Sequence, residues 1–537
     1  MVTIRITRER LEKLYNKGSE DLIRAFSGVI GYTVDAGSDI SVELNPDRLD
    51  LASYPTLISA ALNFYGKKGQ TDFFSPGSAV GKRPLINIDR ESLKIRPFIY
   101  MFTAIGPPLG EIFDLLIDYQ EKLHESVGKN RVLASIGIHD LDKITPPFHY
   151  STVSEDFRIT AYDGFIGSVA DLIREHPKGI EYGSLVKGVR FPAIFDSDGK
   201  LLSIPPIING IDSRLSETSQ NILVDLTGTE FTASASAFYL LLNFFMATGY
   251  TVSIPKMDGR NFTSLIEFGS RSISVSLAAV RSYLGDLHPA DIRNALSRMG
   301  YITTISGNRL EVKTPSQRND VMGEVDVIED IAKGIGYSKI PAKRLILATT
   351  GKGADVMDAS RTLKYISVAM GYQEVMSFFI TSPRLFRGNR DLSGYHVVNP
   401  KSIDSSIIRS SIYPSLLWNF SNNRRRPTPQ KIFEIGSVVV QKVQRQHICL
   451  GEFGSRANFN DARSALDSLL YRITGYRPEL VKSDNSDLIP GRSGDIYLAE
   501  RMVGVMGEVS PEVLTEFNLT LPVAVIEIDL DSLPYQR

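Results

Sequence analysis

The sequence predicts an α+β protein built from several domains. Three observations carry this. The chain has 537 residues, which at about 100–200 residues per domain makes three to five domains. Hydrophobic residues make up 42% and charged residues 23%, the composition of ordinary globular modules. Helical and alternating apolar patterns also succeed one another in separate blocks, without a repeat of fixed period.

The first block spans residues 1–85. Met1–Arg8 alternates apolar and polar residues and reads as a strand; it lacks the apolar core of about 7–15 residues of a signal peptide. Ile40, Val42 and Leu44 alternate as a second strand, broken by Asn45-Pro46-Asp47-Arg48. A helix follows through Leu57, Ala60, Ala61 and Leu62, and residues 75–84 read as a linker.

The second block, 86–265, is mixed α/β. Tyr119–Lys129 is helical. Val132–Ile138 is a strand closed by His139-Asp140. Leu201–Ile204 is a strand ended by Pro205-Pro206, and Ile222–Thr227 is another. Phe231–Pro255 contains no charge and has the length of a membrane span. Its Ser, Thr, Asn and Gly residues argue instead for a buried helix over Ser236–Thr248 and a strand over Tyr250–Ile254. No membrane association is expected.

The third block, 266–343, is mainly helical. Ser276 precedes one helix, His288-Pro289-Ala290-Asp291 opens a second that stops at Gly300, and a third runs over Glu324–Lys333 to Gly334. Tyr301–Thr304 and Arg309–Lys313 form a hairpin about Gly307-Asn308. The fourth block, 344–537, carries strands at Lys431–Val440, Ile496–Val505 and Val523–Ile528, and helices at 358–370 and 461–473.

Composition and motif gaps narrow the chemistry. One cysteine, Cys449, excludes an internal disulfide and a CxxC zinc site, and fits a reducing cytoplasm. The formal charge of −1 excludes a histone-like protein but not a local nucleic-acid patch. There is no phosphate loop, no GxGxxG after a strand, no HExxH and no GxSxG. These gaps point to a subunit of an assembly.

The most informative stretch is Pro315-Ser316-Gln317-Arg318-Asn319-Asp320 followed by Asp326, Glu329 and Asp330. The last three sit at i, i+3 and i+4 on a helix, and Asp320 lies just before it. Four carboxylates suit a hard cation such as Mg2+; acids at a helix start also simply offset its dipole.

The wider string PSQRNDVMGEVDVIEDIAKGIGYSKIP resembles a signature of the β subunit of phenylalanyl-tRNA synthetase. The resemblance runs through QEKLHESVGKNR (120–131), IGIHDLD (136–142), FPAIFDSDGKLLSIPPIING (191–210), LVDLTGTE (223–230), VVNPKSIDSSIIRSSIYPSLL (397–417), KIFEIGSVV (431–439) and IPGRSGDIY (489–497). It is of the archaeal and eukaryotic type, without the extra RNA-binding barrel and C-terminal anticodon module of bacterial relatives.

The resemblance implies four modules: an N-terminal α/β module (1–85), an α/β editing module (86–265), a winged-helix-like helical module (266–343) and a degenerate class II synthetase antiparallel sheet (344–537). It implies ATP-dependent attachment of phenylalanine to tRNA(Phe) by an α2β2 enzyme, with ATP bound mainly by the α subunit. It implies a magnesium ion near the α contact on Asp320, Asp326, Glu329 and Asp330. It also implies hydrolysis of mischarged Tyr-tRNA(Phe) in the editing module, where Ser203, Asn209, Asp225 and Thr227 are the candidate pocket residues. Asp225 and Thr227 lie two apart and so share a strand face; Ser203 and Thr227 at strand ends and Asn209 in a turn also have purely structural readings.

In the last module, Ile432–Gly436 shows no partnered arginine, and Glu508 stands where a phosphate clamp would need a cation. Arg409 and Arg492 are read as structural or interface residues. His124 is placed on a helix surface and His139 at a strand end. Arg424-Arg425-Arg426 is open between a tRNA contact and a solvated loop. The competing readings are a non-catalytic paralogue that binds RNA or a partner, and a free-standing deacylase.

Overall fold

The alternating runs at the start pair as strands. Val2–Thr7 lies antiparallel to Asp39–Leu44, which Asp35–Ala36 flanks on its other side. Ile40, Val42 and Leu44 are buried in register, as period-2 alternation requires. Tyr54–Phe64 follows as a helix with Pro55 in its first turn. In this computed structural model the described residues are 2–15, 23, 26–27, 29, 35–36, 39–65, 80–84, 86–256, 260–342, 351, 353, 355–386 and 395–534. They divide into two units, Met1–Arg344 and Leu345–Arg537.

Part of the expected linker is sheet. Residues 75–79 lie outside the described residues, but Val80–Pro84 is a strand parallel to Thr251–Lys256. Proline is tolerated there because the strand is at a sheet edge. That sheet runs Val80–Pro84, Thr251–Lys256, Phe98–Ile105, Asn221–Gly228, Ala134–Asp140. A second five-stranded sheet runs Ile208–Asn209, Leu201–Ile204, Arg190–Phe195, Phe148–Ser154, Ile86–Ile88.

Two boundaries differ from expectation. The helix read over Tyr119–Lys129 spans Phe113–Glu125. Lys129, Asn130 and Arg131 then all take positive φ and turn the chain into the strand. That strand includes His139 and Asp140 rather than ending before them.

The uncharged stretch is the helix Phe231–Ala247. It packs on four strands of the first sheet on one side and on helices Tyr54–Phe64 and Phe113–Glu125 elsewhere. Covered on several sides, it has no face that needs charge. No described helix is long and apolar enough to cross a membrane.

In the third block, Ser272–Ser276, Arg309–Lys313 and Ile302–Ser306 form a three-stranded sheet, with Leu277–Leu284, Pro289–Arg298 and Glu324–Ile335 as its helices. The third helix runs through Gly334 and ends at Gly336 (φ +97°). Gly334 is a packing glycine: a Cβ there would lie 2.5 Å from Ala295 O on the neighbouring helix.

The second unit is a seven-stranded sheet in the order Gln373–Glu374, Gln430–Val440, Val443–Phe453, Val523–Asp529, Arg501–Val509, Leu488–Leu498, Glu479–Lys482. All its pairs are antiparallel except the first. Alternate residues serve opposite faces: Phe433, Ile448 and Leu450 pack with helices Asp355–Ala369 and Phe459–Thr474, whereas Ile432 and Cys449 pack with Tyr413–Asn423. The strand expected over Ile496–Val505 is two strands. Ala499 and Glu500, both at positive φ, make the two-residue hairpin turn between them.

Candidate functional site

Asp225 and Thr227 lie on the central strand Asn221–Gly228 and both are buried. Antiparallel pairing sets Asp225 opposite Gly137 and Thr227 opposite Ser135. Gly137 leaves room for the carboxylate, since a Cβ there would stand 2.1 Å from Asp225 Oδ2. His139 Nε2 is 2.7 Å from Asp225 Oδ2, and His139 Nδ1 is 2.7 Å from Ser213 Oγ. His139 is thus fully buried between two partners. A buried carboxylate needs such partners to remain in place.

Thr227 belongs to a neighbouring network. Its Oγ1 is 3.0 Å from Ser135 Oγ and accepts from Arg96 Nε at 3.2 Å. Arg96 Nη2 donates to Thr227 O at 2.8 Å. Burial brings the Arg96 guanidinium down to about 10. Tyr150, from the second sheet, donates to Arg96 O, and burial pushes its hydroxyl up.

Ser203 and Asn209 face each other across the pairing of Leu201–Ile204 with Ile208–Asn209. The Ser203 hydroxyl is buried without a hydrogen-bond partner. Asn209 lines a cavity of about 310 Å3 whose walls include Gln120, Arg131, Tyr162, Lys178 and Ser213. The four predicted residues therefore form two pairs. Ser213 links the cavity wall through His139 to Asp225.

His124 is buried rather than on a helix surface. Its Nε2 accepts from Ile136 N at 2.9 Å, and burial holds the ring below the ordinary imidazole range. Because Nε2 is the acceptor, the proton of the neutral ring is on Nδ1, toward Glu121.

The acidic helix does not bring its carboxylates to one point. Arg318 donates to Asp320 at 2.9 and 2.7 Å and pairs with Asp330 at 2.6 Å. Tyr301 also donates to Asp330 at 2.6 Å. Asp326 accepts from Met322 N and Gly323 N at the helix start. Glu329 is exposed and pairs with Lys333 at 3.0 Å. Positions i, i+3 and i+4 cover an arc of about 100°, wide enough to bury Asp330 while exposing Glu329. The oxygen donors are right for a hard cation, but among the described residues no three acidic or histidine side chains are placed to hold a metal.

In the second unit, the strand Ile432–Gly436 does have an arginine partner, contributed from outside it. Arg409 is buried, pairs with Glu434 at 2.7 Å and donates to Ser437 O. It fills the space that a Cβ on Gly436 would need, so its role is structural. Arg492 pairs with Glu508 at 2.9 Å. A cleft of about 760 Å3 is lined by Tyr413, Arg445, His447, Asp487, Glu527 and Asp529. Glu527 accepts from Ile412 N, Tyr413 N and Ser411 Oγ, with His447 Nδ1 2.7 Å away. Arg424, Arg425 and Arg426 are exposed just after the helix Tyr413–Asn423.

Arg96, His139, Ser213, Arg318 and Glu527 were not among the expected site residues. Arg318 stood inside the recognised Pro-x-x-Arg-x-Asp string, which was the one available signal. Arg96 and Glu527 act on groups more than 100 residues away, and no local pattern shows that.

Comparison with known proteins agrees along the chain. Residues 273–337 match the tRNA synthetase B5 domain, and residues 340–530 match the phenylalanyl tRNA synthetase beta chain CLM domain. The chain is 37% identical to the phenylalanine–tRNA ligase beta subunit of Thermoplasma volcanium, with 99% of each chain covered. It is 32% identical to that of Methanococcoides burtonii, covering 99% of this chain and 100% of the relative. A crystallised N-terminal fragment of the phenylalanyl-tRNA synthetase beta-subunit from Pyrococcus horikoshii has the same fold over 62% of this chain and all of the fragment, with TM-score 0.55 and 23% identity.

Proposed function

Because the chain belongs to the phenylalanine–tRNA ligase beta-subunit family, we propose that it serves tRNA charging in two ways: as the non-adenylating half of the ligase, and as the hydrolytic editor of Tyr-tRNA(Phe). The proposed division is an N-terminal module to 85, editing module to 265, helical module to 343 and catalytic-like module beyond. The proposed assembly is α2β2, in the cytoplasm.

The cavity beside Asn209, joined to Asp225 through Ser213 and His139, carries the editing reading. Phenylalanine and tyrosine differ by one hydroxyl, and an apolar charging pocket rejects an added hydroxyl only about 100-fold. A second pocket with hydrogen-bonding groups selects the error. Ser203, with its unpartnered buried hydroxyl, and Asn209, Asp225 and Thr227 are the groups assigned to it.

The test is deacylation of Tyr-tRNA(Phe) by the full chain co-purified with its α subunit. Asn209→Ala and Asp225→Ala should each slow deacylation at least about 10-fold, equivalent to one lost hydrogen bond to a charged or buried group, with phenylalanine charging intact. Unchanged deacylation in both variants would overturn the assignment.

The acidic cleft of the second unit supports placing ATP on α. Asp487, Glu527 and Asp529 outnumber Arg445 and would repel a triphosphate. In class II chemistry, cationic groups instead stabilise phosphate charge. For the family magnesium, the proposal is that Asp320, Asp326, Glu329 and Asp330 contribute only with α present, since Arg318 holds two of them in this chain. The exposed Arg424–Arg426 run is proposed to meet tRNA phosphate.

A further inference from the structure

Segments from three parts of the first unit close around a cavity of about 120 Å3. They are Arg48–Asn63, the end of helix Phe231–Ala247, and Arg298–Arg318. At about 30 Å3 per water this is space for some four waters. Three arginines, Arg48, Arg298 and Arg318, are among its lining residues, with Thr56, Asn243 and Ser316. Asp50 is the sole carboxylate in that lining.

The hydrogen bonds of the two buried arginines leave donors over. Arg48 is 7% exposed and gives Nε and Nη2 to Asp50 at 2.8 and 2.9 Å. Arg318 is 3% exposed and gives Nε and Nη2 to Asp320, and Nη2 also to Asp330. The Nη1 of each is buried without any hydrogen-bond partner. Buried unsatisfied donors on charged groups are costly, and two like charges beside one cavity add repulsion. Asp320 and Asp330 do not line the cavity, so its wall carries an excess of positive charge.

We infer that this cavity binds a small oxyanion of the phosphate or sulfate class, which accepts from Arg48 Nη1 and Arg318 Nη1 and is faced by Arg298. A compact anion with several acceptor oxygens satisfies guanidinium forks better than water, because it answers both geometry and charge. The volume admits a free ion and excludes a nucleotide. Bound there, the ion ties the N-terminal segment to the long helix and to the loop before the acidic helix. This inference is independent of the editing assignment.

The test is thermal unfolding of the full chain in sodium phosphate or sulfate against sodium chloride at matched ionic strength, with AMP as a size control. The expected result is a saturable rise in melting temperature of about 2 °C or more with phosphate and sulfate and none with AMP. The rise should be at least halved in Arg298→Gln, whose side chain is exposed and dispensable for folding. It should vanish in Arg48→Met/Asp50→Asn, which removes the ion pair as a unit and leaves no lone buried charge. No rise over chloride, an equal rise with AMP, or an undiminished rise in both variants would overturn the inference.

Discussion

At the residue scale, buried ionisable groups hold the editing block together. His124 is neutral in the fold, because burial holds its ring below the ordinary imidazole range. An unfolded chain protonates this ring near pH 6.5. The unfolded state therefore binds the extra proton as pH falls. Stability from His124 is present above about pH 6.5 and is lost below it. In His124→Gln, the side-chain carbonyl can still accept from Ile136 N. Urea midpoints should show wild type losing more stability than His124→Gln between pH 7.5 and 5.5; parallel pH curves would contradict this. His139 is different in kind, because Asp225 and Ser213 hold both its nitrogens. Asp225 was legible from its place two residues before Thr227, but its partner was not. His139 sits opposite Leu223, diagonal to Asp225, and only strand register makes that visible.

At the element scale, glycines and turns explain where boundaries moved. A helix was expected to stop at Gly334, because glycine so often ends one. Here Gly334 is the point of closest approach between two helices, and Gly336 is the terminator. Gly334→Ala should accordingly destabilise the first unit by about 1–3 kcal/mol through overpacking, although alanine is the better helix former. Differential scanning calorimetry would measure this; a stabilised variant would show that the helices separate freely. The same local ambiguity hid the turn at Ala499-Glu500. Neither residue is a usual choice for positive φ, so the run Ile496–Val505 reads as one strand.

At the scale of the molecule, the question is what the chain does without its partner. Arg318 sits between Asp320 and Asp330, so the charges of the proposed magnesium ligands are already partly balanced from within. A cation would have to compete with a buried guanidinium at hydrogen-bond distance, which favours the internal pair. EDTA should therefore leave the melting temperature of the isolated chain unchanged within about 1 °C, and 5 mM Mg2+ should not raise it beyond matched NaCl. A clear magnesium-specific rise would mean that the four carboxylates rearrange unaided. The near-zero formal charge fits this internal balancing.

The sequence by itself determined the family, the succession of α and β blocks, the N-terminal strands, the three helices and hairpin of the third block, and the buried nature of the uncharged helix. These rest on local periodicity, caps and motif strings, which need no knowledge of distant neighbours. It also singled out Asp225 and Asn209, because local spacing and string resemblance locate a region. Only the tertiary structure decided which groups meet: Arg96 with Thr227, His139 with Asp225, Arg409 with Glu434, and Arg318 with two of the expected metal ligands. Pairings of buried polar groups are set by desolvation and hydrogen-bond geometry across segments more than 10 and often more than 80 residues apart, and such long-range pairing leaves no periodic trace in the chain.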